Sequence, residues 1–312
     1  MPTALLSHPD CLAHLTPAGH PERAARLEAI LEALDAPAFG ALLRVEAPPA
    51  SDAEIARAHP AHHLAALAAQ LPTAGLVAID ADTFLSPGSL VAARRAAGAV
   101  VRAVDLVMAS ETRNAFCAVR PPGHHAETAT AMGFCLLGNS VIAARHALET
   151  HGLARVAIVD FDVHHGNGTQ DLVWNDARIL FASTHQMPLY PGSGAAREQG
   201  AHQQVINVPL PPGAGGAAFR AAMTERVLPA VAAHAPELIV VSAGFDAHAR
   251  DPLANLELTE ADFAWATAAL CDLAENACGG RIVSTLEGGY DLSALAASVA
   301  AHVAVLMERA DG

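Results

Sequence analysis

Val156-Ala157-Ile158-Val159-Asp160-Phe161-Asp162-Val163-His164-His165-Gly166-Asn167 begins as an unbroken apolar run and ends in carboxylates and imidazoles. Apolar residues without alternation describe a strand covered on both faces, as in a parallel sheet lying between helices. Leu238-Ile239-Val240-Val241 repeats the pattern. Eight such strands are predicted, roughly at Ala4–Ser7, Leu42–Ala47, Asn114–Val119, Val156–Phe161, Ile179–Ser183, Val205–Leu210, Leu238–Ser242 and Arg281–Leu286. Helical stretches separate them. Ser51-x-x-Glu54 and Thr259-x-x-Asp262 have the form of capping boxes, Ser86-Pro87 places a proline where a first helical turn tolerates it, and Gly152 and Gly279-Gly280 mark helix ends. The recurring β, α order implies an α/β fold with a parallel sheet between two helical layers. No linker, repeat or low-complexity block divides residues 1–312, so a single domain is expected.

Composition narrows the function. The 312 residues are 52% apolar and only 4% aromatic, which excludes disorder and predicts a core of Ala, Val and Leu. With 18 Lys+Arg against 32 Asp+Glu, the net charge of −14 argues against nucleic acid or an anionic membrane as partner and is compatible with a cationic substrate. Met1-Pro2-Thr3 opens no basic-then-apolar leader, and Leu292 to Met307 is short for a membrane span. The five cysteines are scattered with no C-x-x-C pair, as expected of thiols in a reducing compartment. A cytoplasmic location is expected.

The unusual residues gather just after predicted strands: Arg120 to His125, Asp160 to His165, His185, Asp246, and Glu287 to Tyr290. In an open parallel sheet, ligand sites form at this carboxyl edge, where successive loops converge. Asp162 and His164, two apart at a strand end, point the same way and can reach one cation. Asp160 adds a further buried charge on that side, costly without a counter-ion. Asp246, past another buried strand, supplies a third ligand. Two carboxylates and one imidazole with open positions describe a catalytic Zn²⁺ site, and Fe²⁺ or Co²⁺ accepts the same donors. His124 and His125, on a Pro-Gly turn, are acid–base candidates that each need a partner to fix their protons. In Glu287-Gly288-Gly289-Tyr290 the glycines let the chain turn so that the Tyr290 phenol can donate to a developing oxyanion.

Taken together, R-P-P-G-H-H at Arg120–His125, G-F-C at Gly133–Cys135, D-F-D-V-H-H-G-N-G-T at Asp160–Thr169, A-G-F-D at Ala243–Asp246 and E-G-G-Y at Glu287–Tyr290 resemble the zinc-dependent histone deacetylase family. That family also takes in acetylpolyamine amidohydrolases and acetoin-utilisation proteins. The likeness runs from His20-Pro21-Glu22 to Tyr290, and Asn167 makes it similar to the class II branch. It implies an arginase-like fold with an eight-stranded parallel sheet and an amidohydrolase acting on acylated lysine or a similar amine. It implies Zn²⁺ on Asp162, His164 and Asp246, with Tyr290 polarising the amide carbonyl. His125 becomes general base and then general acid. His124 stays largely cationic against Asp160, and Asn167 orients His125. A structural K⁺ is implied near Asp160, Asp162, His164, Ser183 and Thr184. Gly133, Phe134 and Tyr190 would line the substrate tunnel, and Arg26 would help acetate leave.

Departures from related patterns refine the expectation. A two-metal ureohydrolase needs Asp at the positions held by Gly166 and His248, so that chemistry is disfavoured. Leu253 stands where polyamine-selective relatives carry an acid, which favours acyl-lysine substrates over acetylpolyamines. A non-catalytic acyl binder would be signalled by loss of Tyr290 or a metal ligand, and none is lost.

Overall fold

In the computed structural model, which describes residues 1–311, the strands are β1 (Thr3–Ser7), β2 (Leu43–Glu46), β3 (Val77–Ala78), β4 (Phe84–Leu85), β5 (Asn114–Cys117), β6 (Val156–Asp160), β7 (Ile179–Gln186), β8 (Val205–Leu210), β9 (Leu238–Ala243) and β10 (Ile282–Leu286). Eight of them pair, all in parallel, in the order β2-β1-β5-β10-β9-β6-β7-β8. These are the eight strands expected from sequence. The β3–β4 hairpin was not anticipated, because two-residue strands carry no periodic signal. Its turn nevertheless reaches the site described below.

Helices Ala24–Leu34, Leu292–Asp311 and Glu260–Cys278 pack in one layer, and Ser89–Met108 and Asn139–Thr150 form the other. The strands between them, β5, β6, β7, β9 and β10, are buried along their whole length, which explains their lack of alternation. Both capping boxes form, at Ser51/Glu54 and Thr259/Asp262. Gly279 ends its helix in the left-handed conformation at φ +62°. Pro87 is a correction: the helix starts at Ser89 with Gly88 as its cap, so the proline precedes the first turn. No side chain caps this helix; instead Ser89 Oγ ties down the incoming turn by accepting from the Ser86 amide at 2.7 Å.

The last helix is longer than Leu292–Met307. Its stretch Leu292–Ala310, 19 residues, is long and apolar enough to cross a membrane by length and composition. Here its apolar face is spent on the protein core, with Val299, Val303 and Leu306 fully buried.

Gly98 shows how tightly the other layer is packed. A methyl group there would overlap the Pro48 carbonyl oxygen and lie 2.7 Å from the Ala50 amide nitrogen. Helix propensity favours Ala over Gly by about 1 kcal/mol, whereas overpacking against rigid backbone costs about 1–3 kcal/mol, so packing wins. Gly98→Ala is expected to lower Tm by a few degrees; an unchanged or higher Tm would mean that the Pro48–Ala50 segment yields freely.

Candidate active site

Because β5, β10, β9, β6 and β7 are neighbours, the loops leaving their carboxyl ends meet over one spot. After β6 the backbone is held by its own acids: the Asp162 amide donates to Asp160 Oδ1 at 3.0 Å and the His164 amide to Asp162 Oδ1 at 2.8 Å. The loop after β9 is tied in by the Val163 amide, which donates to Asp246 Oδ1 at 2.8 Å. From beyond β10, the Gly288 amide donates to Asp162 Oδ2 at 2.7 Å. Each carboxylate therefore has an oriented oxygen before any ion arrives.

Asp162, His164 and Asp246 are buried, and their ligand atoms lie within 4.8 Å of one another. His164 Nδ1 is 3.1 Å from Asp162 Oδ1 and 3.1 Å from Asp246 Oδ2. Burial disfavours an imidazolium here, but the two carboxylates outweigh it and raise His164 to about 10. The two carboxylate oxygens and the His164 ring nitrogen thus converge on one strongly electronegative point. A divalent ion fits the same point, since one nitrogen and two anionic oxygens suit Zn²⁺ and its neighbours. Glycines leave the room: a Cβ on Gly288 would overlap Asp246 Oδ2, and one on Gly244 would overlap Asp162 Oδ2.

The two histidines of the β5 loop have opposite surroundings. His124 Nδ1 donates to Asp160 Oδ2 at 3.0 Å, and its Nε2 is 3.8 Å from Asp162 Oδ1. Burial pushes His124 down, yet the carboxylates of Asp162 and Asp160 carry it well above the ordinary histidine range, so it is cationic. His125 is driven well below that range by burial, with the charges of His124 and His164 adding to the effect. It is the neutral member.

The proton on His125 can be assigned from its neighbours. Asn167 Nδ2 donates to Glu127 Oε1 at 2.8 Å, which turns Asn167 Oδ1 towards His125 Nδ1 at 2.7 Å. An amide oxygen only accepts, so Nδ1 carries the hydrogen and Nε2 keeps a free lone pair. Beneath the loop, the Gly123 and His124 amides donate to the buried Glu287 at 2.7 and 3.1 Å.

A cleft of about 240 Å³ opens over this group, lined by Asp82, His125, Gly133, Phe134, His164, Leu189, Tyr190, Leu253 and Tyr290. Gly133, at φ +54°, passes so close that a Cβ would lie 2.5 Å from the His125 ring. Tyr190 stands edge-on to His125 at 5.1 Å, and Phe134 edge-on to Tyr290 at 5.9 Å. The Tyr290 amide donates to Asp251 Oδ2 at 2.7 Å, and the same carboxylate accepts from the Leu253 amide at 2.9 Å. Arg26 lies under the Tyr290 ring at 4.9 Å and donates to the Gly289 and Glu287 carbonyls at 2.6 and 2.5 Å, bracing the turn. Glu22 joins Arg26 to Arg120 in a fully buried ion-pair network.

Of the site residues expected from sequence, His125, Gly133, Phe134, His164, Tyr190, Leu253 and Tyr290 line the cleft, His124, Asn167, Asp162, Asp246 and Arg26 contact that lining, and Asp160 holds His124, with Ser183 and Thr184 on the neighbouring strand β7. Asp160 pairs with Ser183 across the β6–β7 ladder; Ser183 Oγ is 2.9 Å from His185 Nδ1, and Thr184 Oγ1 is buried without a hydrogen-bond partner among the described residues. Glu127, Asp251, Asp82 and Leu189, which also shape the cleft or its supports, fall outside the sequence motifs. Asp80-Ala81-Asp82-Thr83 does carry a turn signal, realised as Asp80 Oδ1 accepting from the Asp82 and Thr83 amides, but a turn signal says nothing about which cleft it faces.

The family model described as "Histone deacetylase domain" matches residues 20–306. A histone deacetylase-like amidohydrolase of Pseudomonas aeruginosa is 43% identical over 278 residues, covering 88% of this chain and 73% of that protein. A probable deacetylase of Archaeoglobus fulgidus is 38% identical, covering 94% of this chain and 82% of its own length. Among solved structures, the HDA15 HD domain superposes with a TM-score of 0.93 at 36% identity, over 98% of this chain and 88% of that one.

Proposed function

Because this chain belongs to the histone deacetylase family, we propose that it hydrolyses the amide of an N-acylated lysine side chain or a similar acylated amine at the Asp162/His164/Asp246 centre. The observation that carries this reading is His125: neutral, with Nε2 unprotonated, beside three convergent metal-ligand atoms at the floor of an aromatic-walled cleft. When bound there, Zn²⁺, or Fe²⁺ or Co²⁺ on the same donors, supplies Lewis-acid polarisation of the carbonyl and makes water a better nucleophile. His125 Nε2 takes the proton of the attacking water and passes it to the departing amine. His124, held cationic by Asp160, stabilises negative charge as the carbonyl becomes tetrahedral. Tyr290 donates its phenolic hydrogen to the same oxygen. Asn167 keeps the His125 tautomer. Arg26, braced on the Gly289 turn beneath the Tyr290 ring, would supply the cation that draws the freed carboxylate away. A K⁺ near Asp160, Asp162, His164, Ser183 and Thr184 is supported by the partnerless Thr184 hydroxyl.

Phe134 and Tyr190 offer ring faces to the methylenes of a lysine stem, and Leu253 adds no charge at the wall. Asp82 favours a second reading, because an anion lining the cleft can also receive the distal ammonium of an acetylpolyamine. Turnover of an acetyl-lysine peptide is to be compared with that of acetylated putrescine and spermidine, on zinc-loaded protein with a chelated control. Faster, chelator-sensitive peptide turnover supports the lysine reading. Faster polyamine turnover overturns it in favour of the second, and no turnover of any of the three moves another acyl group or non-catalytic acyl binding to the front.

The His125 environment makes a pH prediction. An anion in place of Asn167 raises the His125 pKa, so the basic form appears at higher pH and the acid limb of kcat/KM moves upward. In Asn167→Asp alone the new carboxylate faces Glu127 at the present 2.8 Å separation, and the two will share a proton. Pairing it with Glu127→Gln removes that competition. The double variant is expected to show the larger upward move in a pH–rate profile; an acid limb that stays or falls would remove His125 as the base.

A further inference from the structure

A second group of convergent ligands lies away from the cleft, and we propose that it is a divalent transition-metal site: Asp105, His146 and His151. Asp105 is in the last turn of the helix Ser89–Met108, which runs down to β5, and His146 and His151 are in and just after the helix Asn139–Thr150, which runs down to β6. Both helix ends lie where these strands begin. The group therefore sits at the amino edge of the sheet, opposite the catalytic centre.

His146 Nε2 is 2.7 Å and His151 Nε2 is 2.8 Å from one oxygen, Asp105 Oδ1. The three ligand atoms lie within 4.8 Å of one another, and the imidazole planes cross at 79°. Two rings from different backbone positions aimed at one carboxylate oxygen enclose a point that all three can reach. His146 is buried while His151 and Asp105 are part-exposed, so the point is built on one rigid ligand and remains open to solvent on the other side. At metal–ligand lengths of about 2.0–2.2 Å, adjacent donors sit about 3.2 Å apart. The three side chains need to spread by only about half an ångström. Two imidazoles and one carboxylate form a borderline nitrogen and oxygen set, which suits Zn²⁺ rather than Ca²⁺ or Mg²⁺.

Proton placement balances without any proton leaving the protein. With no ion present, each Nε2 donates its hydrogen to Asp105, and Arg57 Nη1 donates to His146 Nδ1 at 2.9 Å. On binding, the hydrogen of each neutral imidazole resides on Nδ1 and the Nε2 lone pair faces the ion. For His146 the acceptor of that hydrogen is Thr150 Oγ1, 3.2 Å away. Arg57 then turns towards Glu149, whose carboxylate is already 3.4 Å from its Nε. The bound ion would replace the two hydrogen bonds to Asp105 that, with side-chain packing, now join the two helices.

Counting ions tests this on the full-length chain. Metal-stripped protein is titrated with ZnCl₂, and bound zinc per chain is measured for wild type, His151→Ala, Asp105→Asn, His164→Ala and the His164→Ala/His151→Ala pair. Two zincs are expected for wild type and one each for the three single variants. The pair should bind none. In His151→Ala and Asp105→Asn the lost site should weaken at least tenfold, with deacylation unchanged. A single zinc in the wild type, or two retained in both His151→Ala and Asp105→Asn, would overturn the proposal and leave these residues a hydrogen-bonded triad. Because His164→Ala reports the catalytic centre separately, failure at one site is not mistaken for failure at the other.

Discussion

Replacing Tyr290 by Phe is expected to lower kcat by about 10²–10³, equivalent to about 2.7–4 kcal/mol of transition-state stabilisation, while zinc content stays at the wild-type level. The phenol is suited to donate and not to ionise. Burial raises it well above the usual tyrosine range, and the Arg26 guanidinium beneath the ring opposes this without reversing it. Its hydrogen therefore stays on the oxygen across the working pH range. The substitution removes that hydrogen and little else. The backbone amide bond to Asp251, the contact over Arg26 and the edge-on contact with Phe134 depend on main chain or ring, which Phe retains. The effect should therefore fall on kcat rather than on folding or metal content. Steady-state rates on an acetyl-lysine peptide beside metal analysis check this, and full activity in the variant would sink the oxyanion role.

Much of this site was legible in sequence because parallel α/β sheets export their chemistry to one edge. Once β6 and β9 were recognisable as apolar runs, residues just past them had to share a surface, and Asp162, His164 and Asp246 followed from spacing. The supporting contacts were not legible for a matching reason. Glu127 reaches Asn167, and Asp251 reaches the Tyr290 amide, from irregular loops whose paths have no period. Asp82 enters the cleft from the turn of a hairpin with two-residue strands. Leu253 could be read as neutral, but the anion facing the same cleft belonged to a loop 171 positions earlier in the chain. The second histidine cluster was hidden for another reason: Asp105 and His146 are 41 residues apart on neighbouring helices and follow no strand's carboxyl end.

The supporting contacts also make a glycine more decisive than its lack of a side chain suggests, and Gly288→Ala is expected to abolish metal binding at the Asp162/His164/Asp246 centre, and with it deacylation, as fully as His164→Ala. A Cβ at 288 would overlap Asp246 Oδ2 and lie 2.6 Å from Asp162 Oδ2, so two of the three ligands are displaced by one methyl group. Neither carboxylate can retreat cheaply. Asp162 Oδ2 accepts from the Gly288 amide itself, and Asp246 Oδ1 is held by the Val163 amide. The alternative is for the turn after β10 to move, but Arg26 grips the carbonyls on either side of Gly288, and Gly288 O accepts from the Phe245 amide at 3.0 Å. Both routes misplace ligands by more than the few tenths of an ångström that a metal site tolerates. The sheet beneath is untouched, so the variant should fold with the secondary structure of the wild type. Zinc titration and circular dichroism on the same sample separate the two effects: a folded protein binding zinc at the Asp162/His164/Asp246 centre with undiminished affinity would show that the turn yields to the methyl group without displacing a ligand, whereas a folded protein that has lost that ion ties the E-G-G-Y turn to the metal centre as a wall and not only as the carrier of Tyr290.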